Sequence, residues 1–270
     1  MKSYGITSSV IIENEIERHI ENITLKGFSI KENILSSEEC IGYANRLNLI
    51  YEKQEAEFGK EKLERIQELD IARMPFLYDR NFSNLYMNPF VLELTSKVIG
   101  KNFQLHLQNA IINKPNREHH QSSWHRDLPY QDWVISKPLA FNAFYCLTDF
   151  TEENGSTVVL PFSHKTDHFP SEGFVKENEV KVIAKAGSVI FFDSMLYHRA
   201  SYNASDAIRF GVNHLFVVPI LKQQVDVANS FSTEEELSEE EKMILGIKFA
   251  VPSSVVDFRE KRYKNKMNEK

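Results

Sequence analysis

The segment from Phe103 to Val218 consists of many short runs rich in Val, Ile, Phe and Tyr, with polar turns between them. Breaks such as Asn154-Gly155 and Ala186-Gly187 separate these runs, and no long helical pattern intervenes. Many short strands joined directly by turns are typical of a β-sandwich or barrel, and the cupin-type jelly roll is one such architecture. The pattern therefore predicts a jelly-roll core over residues 101–220.

Helices are predicted on both sides of this core. Residues 1–100 are expected to be mainly helical, with Ser36 and Glu39 forming a capping box at the start of one helix. Residues 221–270 are expected to form a C-terminal helical extension, including an acidic helix from Thr233 to about Leu245. This extension could pack on the core, cover the mouth of a site or mediate dimerisation. The predicted fold class is mainly β with flanking α-helices, in one domain that spans the whole chain.

Composition limits the class of protein. A chain of 270 residues that is 42% hydrophobic can bury a full core. It has no apolar run of membrane-spanning length, and its first residues lack a leader-like apolar stretch. Its two cysteines, Cys40 and Cys146, are too few for a disulfide framework, and the net charge of −6 argues against a nucleic-acid surface. We expect a soluble cytoplasmic protein, a monomer or homodimer, without membrane or nucleic-acid partners.

Four residues indicate chemistry: His125 and Asp127, then His198, then Arg209. In a strand, residues two apart project to the same face, so His125 and Asp127 can reach one ion. Two imidazoles and one carboxylate form the ligand set that holds non-heme Fe(II) and leaves positions open for oxygen and a co-substrate. An isolated His-x-Asp pair arises easily by chance, so the surrounding sequence decides its meaning.

Two further segments lie around these residues. A glycine-led turn and an apolar strand, Lys185-Ala-Gly-Ser-Val-Ile-Phe-Phe-Asp-Ser-Met-Leu-Tyr-His198, lead into the second histidine, and an earlier turn and strand end in Pro161-Phe-Ser-His164. With the His-x-Asp pair and the interval from His198 to Arg209, the sequence resembles the phytanoyl-CoA dioxygenase family of Fe(II)/2-oxoglutarate oxygenases. The resemblance extends from about Gly27 to about Val218, and it implies the double-stranded β-helix form of the jelly roll.

The resemblance implies a role for each of the four residues. The catalytic residues His125, Asp127 and His198 would bind Fe(II), and Arg209 would pair with the distal carboxylate of 2-oxoglutarate. A guanidinium suits this task because its planar fork meets a carboxylate bidentately and keeps its charge. The cofactor set is therefore Fe(II), with 2-oxoglutarate and O2 as co-substrates.

Other co-substrate contacts are expected on the neighbouring strands. Many family members carry a polar residue on the strand that contains Gln108, so Gln108 is the first candidate to hydrogen-bond 2-oxoglutarate, and Asn142 is the second. Many members also carry Ser or Thr two residues after the distal histidine, whereas this chain has Ala200. One hydrogen bond to the co-substrate is therefore missing at that position.

The carboxylate ligand also bears on the reaction. Related halogenating enzymes replace it with Gly or Ala, whereas Asp127 is intact, so hydroxylation of a small polar molecule with release of succinate and CO2 is expected. Two alternatives remain open from the sequence: a jelly-roll sugar isomerase or epimerase, and a jelly-roll binding module without catalysis.

Substrate contacts are predicted in the loop from Lys114 to Trp133, which would border the pocket mouth. Aromatic rings there can stack on a ligand, and basic groups can meet an anion. The same aromatic residues could instead brace the fold. The candidate substrate residues are Trp124, Arg126, Tyr130 and Trp133.

Overall fold

A computed structural model describes residues 4–5, 10–117, 119–128, 134–231 and 237–268. The helices are α1 (Glu15–Lys26), α2 (Ser37–Phe58), α3 (Lys60–Arg65), α4 (Pro75–Tyr78), α5 (Ser83–Tyr86), α6 (Pro89–Ile99), α7 (Glu172–Asn178), α8 (Glu239–Ile244) and α9 (Val255–Asn268). The strands are β1 (Phe28–Lys31), β2 (Ile71–Arg73), β3 (Gln104–Asn113), β4 (Ala140–Cys146), β5 (Thr157–Val159), β6 (Val180–Lys181), β7 (Val189–Asp193), β8 (His198–Ala200) and β9 (Arg209–Val217).

The strands form two antiparallel sheets. The larger sheet has the order β1-β7-β4-β9-β3-β2, and the smaller has the order β6-β5-β8. One buried apolar cluster contains side chains from both sheets, among them Ile111, Phe144 and Phe192 from the larger sheet and Val159 from the smaller. The inner faces of the two sheets therefore pack against each other, as in a sandwich.

The other face of the larger sheet is covered by helices. A second, larger apolar cluster joins this face to side chains from α1, α2, α5, α6 and α8. Because β4, β7 and β9 are buried on both faces, they lack the alternation of polar and apolar residues that a half-exposed strand would show.

The predicted pattern of antiparallel strands and flanking helices is confirmed, but the description of the chain as mainly β is not, because the strands contain only about a fifth of the described residues. The capping box of Ser36 and Glu39 starts α2 as predicted. The acidic helix begins later than expected, with Ser238 as the N-cap of α8, and Thr233 lies outside the described residues. Within the described parts of the chain, no helix is both long and apolar enough to span a membrane.

Candidate metal centre and co-substrate pocket

Three side chains from distant parts of the sequence converge beside β8. His125 forms an isolated antiparallel bridge with His198, and the N–H of each residue donates to the carbonyl oxygen of the other at 3.0 and 3.1 Å. The backbone N–H of Asp127 donates to Ser194 O at 3.1 Å, in the turn that leads into β8. Asp127 Oδ1 lies 3.7 Å from His125 Nε2 and 3.4 Å from His198 Nε2. One potential ligand atom from each of the three residues lies within 4.8 Å of the others.

Both imidazole rings direct Nε2 toward Asp127 Oδ1. Nδ1 of His125 is 2.9 Å from Ser123 O, and Nδ1 of His198 is 3.0 Å from Leu196 O. A carbonyl oxygen only accepts, so each Nδ1 carries the hydrogen and each neutral ring keeps a lone pair on Nε2. Burial lowers the pKa of His125 to about 4, and His198 adds to this effect. Burial opposes protonation of His198 too, but the charge of Asp127 and a hydrogen bond to it outweigh burial and raise the pKa of His198.

The second oxygen of the carboxylate is held by two amides. Asp127 Oδ2 accepts from Asn142 Nδ2 at 2.5 Å and from Asn213 Nδ2 at 3.3 Å. Burial raises the pKa of Asp127, but His198 and then His125 outweigh it and bring this pKa well below its ordinary value. Asn142 was expected to contact 2-oxoglutarate; its amide contacts the carboxylate instead. Asn213 was not among the residues predicted from the sequence, although its position four residues after Arg209 on a strand puts both on one face.

Arg209 lies at the start of β9 and is only 1% exposed. Its Nε donates to Gly155 O at 3.1 Å, and the guanidinium carbon lies 4.6 Å from the centre of the Phe150 ring. Its Nη1 has no hydrogen-bond partner among the described residues. Burial lowers the pKa of Arg209 to about 10, so the side chain stays charged at neutral pH. A buried guanidinium with an unsatisfied N–H fits an incoming carboxylate.

One cavity contains both the three convergent residues and Arg209. It has about 380 Å³ of empty space, including its open mouth. The lining residues are Ile111, Gln121, His125, Asp127, Phe144, Thr157, Phe192, His198, Arg199, Ala200, Arg209 and Asn213. The cavity is thus apolar along part of its wall and carries charged groups at separate points.

Thr157 is a second site residue that was not predicted from the sequence. On the smaller sheet, Thr157 of β5 is directly paired with Ala200 of β8, so their side chains are neighbours on one face. Both residues line the cavity, and Thr157 is only 4% exposed. The Thr157 hydroxyl therefore stands beside the position where Ala200 lacks one. Because Thr157 and Ala200 are 43 positions apart, only the pairing of their strands shows that one hydroxyl lies beside the place of the other.

Gln108 does not line the cavity. Its Oε1 accepts from Phe76 N at 3.0 Å, and its Nε2 lies 2.7 Å from His214 Nε2 on the helix-covered face of the larger sheet. A β-bulge between Leu105 and Leu107 interrupts the simple alternation expected for this strand. The structure therefore gives Gln108 a position in the core rather than at the co-substrate site.

The predicted substrate residues have different outcomes. Trp124 is half-buried, and the guanidinium of Arg199, a cavity residue, lies 5.1 Å from its ring centre. Arg126 is only 3% exposed; its Nη2 donates to two backbone carbonyls, and its guanidinium stacks 3.9 Å from the Tyr197 ring. Arg126 lies on the opposite face from its neighbours in sequence, and the structure does not bring it to the cavity. The other two candidates, Tyr130 and Trp133, lie outside the described residues.

The fold and the site together define a class. Antiparallel sheets packed face to face, two imidazoles and one carboxylate that converge, and a nearby guanidinium with one N–H unsatisfied among the described residues fit a non-heme iron oxygenase with a carboxylate co-substrate. The family model described as phytanoyl-CoA dioxygenase (PhyH) matches residues 23–211, and the chain belongs to this family. It is an Fe(II)- and 2-oxoglutarate-dependent dioxygenase that uses O2.

Individual relatives agree with this assignment. An uncharacterized protein of Mycobacterium tuberculosis is 32% identical over 206 residues, which cover 74% of this chain and 74% of the relative. Ectoine dioxygenase of Nocardia farcinica is 25% identical over 225 residues, which cover 71% of this chain and 73% of the relative. The crystal structure of EctD from S. alaskensis with 2-oxoglutarate and 5-hydroxyectoine has a TM-score of 0.65 at 17% identity, with 80% of this chain and 81% of that chain covered. This last likeness shows a shared fold.

The family match and the dioxygenase assignment favour catalysis with 2-oxoglutarate over the two alternatives that the sequence left open. A sugar isomerase or epimerase without a co-substrate would not need a buried arginine in the same cavity as the metal ligands. A non-catalytic jelly-roll module would not need the ligand set.

Proposed function

We propose that this dioxygenase holds Fe(II) with His125 Nε2, Asp127 Oδ1 and His198 Nε2 and hydroxylates a small polar molecule, with release of succinate and CO2. The observation that carries the proposal is the convergence of three ligand atoms within 4.8 Å, in a cavity that also contains Arg209. The two Nδ1–H groups are engaged by carbonyls, so both Nε2 lone pairs are available to one cation.

We infer that Arg209 binds the distal carboxylate of 2-oxoglutarate, because its Nη1 is buried, charged and without a partner among the described residues. Thr157 adds a hydroxyl donor beside Ala200 and replaces the one that is missing there. Ile111, Phe144 and other apolar wall residues keep water away, which strengthens the ionic contact. When bound, iron and 2-oxoglutarate supply the oxidising chemistry, and the chain holds and orients them.

The intact Asp127 supports hydroxylation rather than halogenation, because a carboxylate occupies the coordination position that a halide would need. Gln121 and Arg199 line the cavity, and Arg199 Nη2 is paired with Glu179 at 3.0 Å. Gln121 and Arg199, the latter lying against the Trp124 ring, support a polar substrate, and the similarity to ectoine dioxygenase supports a small molecule.

We further infer that the sheets form a double-stranded β-helix within one domain. Residues 1–100 pack helices on the core of residues 101–220, and residues 221–270 extend it; helices from both flanks share one apolar cluster with the larger sheet. The free, buried thiols of Cys40 and Cys146 support a reducing, cytoplasmic compartment. We expect a monomer or homodimer, which light scattering on the purified chain would distinguish.

The test is a screen of small polar metabolites for substrate-dependent succinate production with Fe(II), 2-oxoglutarate and O2. His198→Ala should reduce this activity to background, since it removes one of three metal ligands. His168→Ala is the matched control, because this side chain is 86% exposed and should leave activity unchanged. Full activity in His198→Ala would refute the assigned ligand set.

A further inference from the structure

We propose that Asn142 and Asn213 are positioning residues that hold Asp127 Oδ2 away from the metal, so that Asp127 offers Oδ1 as its single ligand atom. This inference rests on the proposed function. It starts from the two contacts to Oδ2, at 2.5 Å from Asn142 Nδ2 and 3.3 Å from Asn213 Nδ2. Oδ1 is left as the oxygen that faces the Nε2 atoms of the two histidines.

The orientations of both amides follow from the carboxylate. A carboxylate only accepts hydrogen bonds, so each amide must direct its NH2 group to Oδ2. The remaining contacts agree with this orientation: Asn142 Nδ2 also donates to Asn213 Oδ1 at 3.1 Å, and the Ser194 hydroxyl donates to Asn142 Oδ1. The backbone carbonyl of Ser194 accepts from the N–H of Asp127. The carboxylate is therefore fixed through both its side chain and its backbone.

The amides of Asn142 and Asn213 are neutral donors, so they leave the negative charge of Asp127 in place. A buried carboxylate needs hydrogen bonds, and a lysine or arginine could supply them, but it would also neutralise the charge. Amides supply N–H groups without positive charge. Asn142 is fully buried and Asn213 lines the cavity, so the negative charge of Asp127 remains available to attract a divalent cation.

The two amides come from neighbouring strands. Asn142 lies on β4 and Asn213 on β9, which are paired in the larger sheet. Because side chains alternate along a strand, Asn213 and Arg209 point to the same inner face. Strand β9 thus carries both Asn213, which holds the carboxylate ligand, and Arg209, which binds the co-substrate. The strand therefore sets the distance between the metal ligands and the co-substrate carboxylate.

The test measures metal binding rather than turnover. Fe(II) affinity is determined by anaerobic equilibrium dialysis of the full chain, for wild type and for Asn213→Ala, Asn142→Ala and Ser194→Ala. Loss of a group that orients a metal ligand typically weakens metal binding by about 10- to 100-fold. We expect this loss in Asn213→Ala and Asn142→Ala and a smaller loss in Ser194→Ala, together with a shifted charge-transfer absorption band of the Fe(II)–2-oxoglutarate complex.

Asn109→Ala is the matched control. Asn109 lies on β3 directly opposite Asn213, but its amide faces Arg73 Nη1 at 2.6 Å and Gln108 O at 3.1 Å rather than Asp127, and its oxygen is best assigned to the side of the guanidinium. The Fe(II) affinity of Asn109→Ala should equal that of wild type. Because Asn142 is fully buried and its variant could fail to fold, Asn213→Ala, checked by circular dichroism, decides the outcome.

Failure of the positioning role and failure of the proposed function would give different results. A folded Asn213→Ala that binds Fe(II) as tightly as Asn109→Ala and keeps the wild-type absorption band would overturn the positioning role of Asn213. Failure of the wild-type chain to bind Fe(II) would instead overturn the proposed function.

Discussion

Replacing Arg209 by Met should abolish co-substrate binding without destabilising the fold. Burial lowers the pKa of this guanidinium from 12.5 to about 10, which corresponds to a desolvation penalty of roughly 3 kcal/mol for the charged form. Met would lose the hydrogen bond to Gly155 O and the contact with the Phe150 ring, about 1 kcal/mol each. The gain and the losses are of similar size, so the Tm should change by no more than roughly 2–4 °C, the effect of about 1 kcal/mol.

Arg126→Met is the control, because Arg126 is also buried but is engaged by the protein itself. It donates to the carbonyls of Ser163 and Thr166 and stacks on Tyr197. Its removal leaves acceptors without donors, so this variant should lose roughly 3 kcal/mol and its Tm should fall by about 6–12 °C. Of these two buried arginines, only Arg126 should therefore contribute strongly to stability.

The assay is anaerobic differential scanning fluorimetry with Fe(II), with and without 2-oxoglutarate. A ligand at about 100 times its Kd stabilises a protein by roughly 2.7 kcal/mol, so wild type and Arg126→Met should both show an increase in Tm on adding 2-oxoglutarate. Arg209→Met should show none. A 2-oxoglutarate shift retained by Arg209→Met would refute the co-substrate role of Arg209, and a Tm without ligand as low as that of Arg126→Met would refute its small effect on stability.

Three further predictions concern single positions. Thr157→Val should raise the KM for 2-oxoglutarate about 3- to 10-fold, the effect of one lost hydrogen bond, and adding Ala200→Ser should restore it in steady-state assays; an unchanged KM argues against this contact. Gly155→Ala should unfold at lower urea, because Gly155 has φ +79° and a Cβ there would lie 2.2 Å from Asn113 Nδ2; a wild-type midpoint contradicts this. Burial raises the pKa of Asp193 from 3.8 to about 6, so its contribution to stability is full below its unfolded pKa and is lost as pH rises through 6. Asp193→Asn should then be roughly 3 kcal/mol more stable than wild type at neutral pH and equal to wild type in acid. The same stability difference at both pH values in urea unfolding would contradict this raised pKa.

Local patterns in the sequence were sufficient for several elements. The capping box of Ser36 and Glu39 predicted the start of α2, because it depends on residues three apart. The His125-x-Asp127 spacing predicted that both side chains project to one face, since strand geometry has a period of two. The family resemblance connected these residues with His198 and Arg209, and the family match agrees with it.

Other positions depended on contacts that the sequence does not contain. The β-bulge in β3 turned Gln108 into the core, and the pairing of β5 with β8 put Thr157 beside Ala200. Arg126 was assigned to the pocket by its residue type, whereas its burial against Tyr197 is set by packing between distant segments.

The sequence by itself determined the residue types of the site, because ligand chemistry and strand periodicity act over a few residues. The tertiary structure decided which polar groups surround those ligands. Asn142 reaches Asp127, and Arg209 Nη1 has no partner among the described residues, only because particular strands are neighbours. Strand order and register arise from packing of the whole core, so a buried polar group obtains its partner, or is left without one, only once the chain has folded.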